Sequence, residues 1–230
     1  MSRARLRSRH LGSFAAVAVV ALLASGIPRG AFAQTQPAAP AQASAPASGG
    51  MGGVNFDIGA LIRSPLGAWS DYTMAKTGSD KSVTIRYALV DKGPQKLGLE
   101  IDTPTPKGAI VMRFDFAGQA DVWKLAGGKM QRGTESMDLP KDQLDATPPL
   151  KKGAALGDFV ANESLTIPAG TFACKHFRSK VVPDDPKSPV MDLWVSDKVA
   201  PTGLVKSELS PMGITMQLAG SGVGQAPKTK

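Results

Sequence analysis

The chain has 230 residues, 42% of them hydrophobic and 6% aromatic, with 27 basic against 19 acidic side chains and a single cysteine. One cysteine excludes an intramolecular disulfide framework, so stability has to come from a buried core. The charges are interspersed, and no basic stripe with interleaved aromatics marks a nucleic-acid binder.

Residues 1–33 read as an export signal. Arg3, Arg5, Arg7 and Arg9 form a positive n-region, Leu11 to Ser25 an apolar stretch too short to span a bilayer comfortably, and Ala31-Phe32-Ala33 a small-x-small cleavage triplet. Cleavage is expected after Ala33. Ser8 separates Arg7 from Arg9, so there is no twin-arginine pair, and Gln34 stands where a lipoprotein would carry cysteine. The expectation is therefore export by the general secretory pathway to the periplasm or the medium, without a lipid anchor or a membrane span after cleavage. Five of the 27 basic residues leave with the signal, so that 22 face 19 acidic residues and the net charge falls from +8 to +3. His10 leaves too, and His176 remains as the one histidine of the mature chain.

Residues 34–53, QTQPAAPAQASAPASGGMGG, hold no charge and little but Ala, Pro, Ser, Gln and Gly. Such a stretch buries too little apolar surface to offset the entropy of ordering it and reads as a disordered linker. One domain follows over 54–224, with a disordered tail at 225–230. Asn55 to Arg63 predicts a short helix started by Asp57 and ended by Pro65, with Ile58, Leu61 and Ile62 on one stripe.

Beyond that helix the apolar period becomes two. Trp69 and Tyr72, three apart, fall on opposite faces of a first strand. Val83, Ile85, Tyr87 and Leu89 alternate with Ser82, Thr84, Arg86 and Ala88. Leu97, Leu99 and Ile101 repeat the pattern, as do Ile110, Met112, Phe114 and Phe116, and later Ile214, Met216 and Leu218. Turn chemistry at 78–80, 92–94, 104–108, 127–128, 168–170, 184–189 and 211–213 separates the runs at the spacing of an antiparallel meander. Two hairpins stand out, one turning at Gly127-Gly128 and one at Pro168-Ala169-Gly170. About nine strands, each apolar on one face, require a cover, and little helix is available. The expected fold is all-β, a curved antiparallel sheet forming a half-barrel or barrel, with the short N-terminal helix as a lid.

Few residues suggest chemistry. Cys174 and His176 lie at i and i+2 of a predicted strand and share a face, which suits a soft metal or a thiolate–imidazole pair. A zinc site needs further ligands, and a thiol nucleophile needs an orienting group and an oxyanion donor. The bland alternative is a small buried cysteine beside a hydrogen-bonding histidine. The methionines form no Met-x-x-Met cluster, and the glycines form no phosphate loop. No catalytic residue, cofactor or metal is expected.

Three segments carry a resemblance: Gly67-Ala68-Trp69-Ser70-Asp71-Tyr72, Ile167 to His176 (IPAGTFACKH), and Leu193 to Lys206 (LWVSDKVAPTGLVK). Across about Pro65 to Gly220 the chain resembles uncharacterised exported bacterial β proteins, which are similar in layout to the LolA-like periplasmic lipoprotein carriers. That resemblance implies a curved sheet around an apolar cavity and transfers no functional residue. With the amphipathic strands it implies a non-enzymatic protein that binds a lipid or lipoprotein acyl chain, with Tyr87, Phe114, Phe116 and Met216 as the apolar ligand face. The alternative is a cell-envelope interaction module that presents loops or a sheet edge to a partner protein.

Overall fold

Two-residue periodicity governs the chain from Ala68 onward, and in the computed structural model it yields a twelve-stranded antiparallel sheet. The structure describes residues 57–154, 156–181 and 187–229, so the signal, the linker and the first two residues of the expected helix lie outside the described residues. The strands are β1 (Ala68–Lys76), β2 (Ser82–Gly93), β3 (Lys96–Thr103), β4 (Ile110–Gln119), β5 (Val122–Arg132), β6 (Glu135–Asp138), β7 (Leu150–Lys151), β8 (Asp158–Ile167), β9 (Gly170–Lys180), β10 (Val190–Val195), β11 (Leu204–Ser210) and β12 (Ile214–Val223). Helices α1 (Ile58–Arg63) and α2 (Lys141–Ala146) complete the elements of the described residues.

The sheet runs β6-β5-β4-β3-β2-β1-β12-β11-β10-β9-β8, with β7 pairing β5 off this path. Most neighbours are hairpins. The exception is β1 with β12, registered from Ala68↔Val223 to Lys76↔Ile214, which joins the two ends of the domain in the middle of the sheet. The sheet does not close, and β6 and β8 stand at its edges.

Register shifts at Asp71/Tyr72, Leu89/Asp91, Asp115/Phe116, Phe159/Ala161 and Trp194/Val195 bend the strands. The resulting curl lets one buried cluster draw side chains from Leu125 of β5 through Leu99, Tyr87 and Tyr72 to Leu193 of β10. Helix α1 lies over this cluster. Asp57 caps it by accepting from the Gly59 N–H at 2.8 Å, and Ile58, Ala60 and Leu61 are buried beneath it. A Cβ on Gly203 would come within 3.3 Å of the Ala60 methyl, so the β10–β11 connection packs directly under the helix. At its centre Tyr72, fully buried, donates to the Leu204 carbonyl at 2.7 Å and shares a 2.6 Å hydrogen bond with the Thr202 hydroxyl. Its ring meets Tyr87 edge to face at 5.3 Å.

The meander agrees with the periodicity, but one hairpin does not. Gly127 and Gly128 lie inside β5, which runs unbroken to Arg132, and β4 and β5 are joined instead at Ala120-Asp121. Ala120 takes the positive φ of 53° that this tight connection needs. Gly128 is small for another reason: a Cβ there would sit 2.4 Å from the Leu139 side chain and 2.5 Å from the Arg113 carbonyl. The Pro168-Ala169 hairpin is present, with Ile167 paired to Gly170. The structure also has more strands than the nine expected, the added ones including the short β6 and β7, and it adds α2, whose six residues are too few for a period to show. Where the sequence suggests a loose tail, Gln225 to Thr229 lie in hydrogen-bonded contact with β2 and β3.

Candidate functional site

The four residues expected to face a ligand converge on the concave side. Pairing puts Tyr87 opposite Ile101, Ile101 opposite Met112, and Leu99 opposite Phe114, so alternate side chains of β2, β3 and β4 share one face. Tyr87, Phe114 and Phe116 are 2%, 7% and 5% exposed and belong to the packed cluster, against which the half-buried Met216 also rests. This half of the concave face is filled.

The other half is open. Between the ends of α1 and strands β8–β10 lies a cleft of about 690 Å³ lined by Leu156, Ala173, Phe177 and Val195, with Arg63 and Lys175 among its polar residues. Phe177 stacks edge to face on Phe159 at 6.0 Å, and Phe159, on the edge strand, is 55% exposed. None of these residues was expected at a ligand site from the sequence. Leu156 and Phe159 sit in a segment without clean alternation, and the cleft exists only because the sheet curls. Arg63 is held by Asp57 at 3.4 Å and Asp197 at 3.0 Å, which ties the end of α1 to the β10–β11 connection.

Cys174 and His176 occupy β9 on the face opposite Phe177 and share a side as predicted. They do not form a working pair. The Cys174 thiol points to the Phe172 carbonyl at 3.5 Å, and burial, reinforced by the Glu163 carboxylate, pushes the thiol up, away from the nucleophilic thiolate. His176 is engaged elsewhere. Its Nδ1 lies 3.0 Å from Glu163 Oε1 and its Nε2 2.8 Å from Asp192 Oδ1, while its ring stacks on Trp194 at 4.4 Å. Trp194 Nε1 donates to Glu163 at 2.7 Å, and Arg178 Nε donates to Asp192 at 2.8 Å. Burial of Asp192 works to raise its carboxyl, but the hydrogen bonds from Arg178 and His176 outweigh it and hold the group below the usual carboxylate range. Both imidazole nitrogens thus face carboxylates on opposite sides of the ring. The arrangement ties β8, β9 and β10 together and leaves no nitrogen to serve as a base for the thiol. Among the described residues no three His, Cys, Asp or Glu side chains group so as to hold a metal ion.

No helix of the described residues is long and apolar enough to cross a membrane. No family model matches the chain, and no curated protein does. Solved structures give likenesses of fold. A candidate exported protein with a YmcC-like fold from Bacteroides fragilis is 13% identical, covering 70% of this chain and 98% of its own, with a TM-score of 0.39. A candidate lipoprotein from Parabacteroides distasonis is 14% identical over 70% of this chain and 98% of its own, with a TM-score of 0.40. The hypothetical protein CT021 from Chlamydia trachomatis is 12% identical over 74% and 93%, with a TM-score of 0.48. Similarity at this level bears on neither ligand nor activity.

Proposed function

We propose that this chain is an exported, non-enzymatic binding protein that takes an apolar ligand, a lipid or lipoprotein acyl chain, on the concave face of its curved sheet. The observation that carries the reading is the unfilled half of that face. A cleft of about 690 Å³, with Leu156, Ala173, Phe177 and Val195 among its walls, adjoins a core already packed around Tyr87, Phe114, Phe116 and Met216. Its volume falls within the roughly 300–1,000 Å³ of small-molecule sites. An acyl chain would lie against Leu156, Phe177 and Val195, in a lining where Arg63 and Lys175 stand among the carboxylates of Asp57, Glu163 and Asp197.

Export of the chain, purification, solvent extraction and mass spectrometry of the extract test this directly, together with uptake of a fluorescent fatty acid. The expected result is copurifying lipid and saturable uptake, lost in Phe177→Asp while the β-sheet circular dichroism is kept. Absence of both lipid and uptake in the wild-type chain would overturn the reading. A second reading, an envelope module that presents a sheet edge to a protein partner, is favoured by β8, whose ten residues are largely exposed and include Phe159 and Val160. Crosslinking in envelope extracts separates the two: a stable protein adduct through β8 supports the module, and lipid alone supports the carrier.

A further inference from the structure

The convex surface of β1–β3 carries a buried carboxylate whose partners all come from one extended segment. Glu100 and Asp102 lie two apart on β3 and project from the same face, opposite Ala88 and Arg86 of β2. Glu100 is 3% exposed. One of its oxygens accepts from the Lys228 N–H at 2.8 Å, the other from the Thr229 N–H at 2.8 Å and from the Thr229 hydroxyl. Lys228 Nζ pairs with Asp102 Oδ2, while Asp102 Oδ1 is buried without a hydrogen-bond partner. Upstream, the N–H groups of Gly224 and Gln225 both donate to the Gly67 carbonyl, at 2.9 and 3.0 Å. The Gln225 side chain accepts from Arg86 Nη1 at 3.0 Å, and Arg86 is itself gripped by both oxygens of Asp71 at 2.6 and 2.7 Å.

A carboxylate withdrawn from water is costly unless hydrogen bonds replace the lost solvation. For Glu100 that replacement comes from two successive backbone N–H groups, which fix the position of an extended peptide whatever its side chains. Asp102 then selects a cation at one residue, and Arg86 selects an amide three residues before it. These contacts read backbone, charge and side-chain amide separately, as a peptide-recognition surface does.

We propose that the convex surface of β1–β3 is a docking groove for an extended basic peptide, and that Gln225–Thr229 is its intramolecular occupant. The groove lies on the opposite face from the cleft and does not depend on the lipid reading. Tethering supplies the tail at an effective concentration on the order of millimolar, so a peptide in trans competes only near that range.

The test uses the full chain and a fluorescent synthetic peptide of residues 224–230. Amide exchange at Lys228 and Thr229 should be at least about tenfold slower than in the same peptide alone, at every protein concentration. Lys228→Glu should return both amides to the peptide rate and allow the labelled peptide to bind, whereas Lys228→Arg should keep the protection. Adding Glu100→Gln to Lys228→Glu should abolish peptide binding; Asp102→Asn replaces it if that double variant does not fold. Unprotected amides in the wild-type chain would overturn the proposal. So would a folded Lys228→Glu chain that binds no peptide, and so would protection that rises with protein concentration, which would make a second copy's tail the occupant.

Discussion

Asp192 shows how much of this molecule depends on single buried polar groups. Its carboxylate accepts from Arg178 and His176 on the neighbouring strand and is 9% exposed as a residue. Because these bonds outweigh burial and lower its pKa in the folded state, its contribution is fully present above the ordinary carboxylate value and is lost as pH falls through the lowered one. Asp192→Asn should therefore cost about 1–3 kcal/mol at neutral pH and flatten the acid limb of the stability curve, read by urea titrations at successive pH values. Tyr72 works in the opposite direction. Burial, only partly offset by the hydrogen bond with Thr202, pushes its phenol up to about 12. A raised phenol stabilises the fold fully below pH 10 and loses that stabilisation as pH climbs from there to about 12. Tyrosinate absorbance should rise together with the loss of β circular dichroism across that window. Tyr72→Phe should weaken the coupling, which the buried and likewise raised phenol of Tyr87 keeps in part, and cost roughly 1–3 kcal/mol at neutral pH, since Thr202 and the Leu204 carbonyl lose their partner. At this scale the sequence disclosed that Cys174 and His176 share a face. Glu163 and Asp192 could not be read, because their approach to His176 depends on the registers of β8 and β10 against β9.

At the scale of elements, β5 separates what a pattern can and cannot carry. Two adjacent glycines between apolar runs are a turn signal, yet here the strand continues through them, and the two have unequal tasks. A Cβ at Gly128 would collide with Leu139 and the Arg113 carbonyl, whereas one at Gly127 would find its nearest neighbour at 4.0 Å. Gly128→Ala should lower stability by about 1–3 kcal/mol, by overpacking, while Gly127→Ala should change it by less than about 1 kcal/mol in the same thermal or urea melt. The alternation in β2, β3 and β4 was legible because each of these strands carries most of its large apolar side chains on one face, even where residues of the other face, such as Ala88 and Glu100, are buried too, and α1 because Asp57 and Pro65 bracket it. Strand β8 was not legible in that way. Its outward exposure on both faces leaves DFVANESLTI without a period, and only the Pro168-Ala169 turn announced it.

Over the whole molecule, pairing β1 with β12 buries both ends of the domain in the middle of the sheet and leaves β6 and β8 as its margins. The margins are unequal: β6 has four residues, and β8 has ten with few buried side chains. A long edge invites pairing with another strand unless charge or a bulge obstructs it. β8 carries Asp158 and Glu163 and a bulge at Val160, but also two adjacent exposed apolar residues, Phe159 and Val160. Of these, Phe159 contacts Phe177 of the cleft, whereas Val160, the unpaired residue of the bulge, does not enter the cleft lining. The two positions therefore separate the two uses of this end of the sheet. Val160→Lys should weaken any association through the edge, measured by sedimentation velocity and envelope crosslinking, and leave fatty-acid uptake within about twofold of wild type, because the cleft keeps its walls. Phe159→Lys should reduce both, since it removes the ring packed on Phe177 as well as charging the edge. If Val160→Lys abolished uptake while the sheet stayed intact, the ligand would lie along the edge instead of within the cleft, and the concave-face proposal would fail.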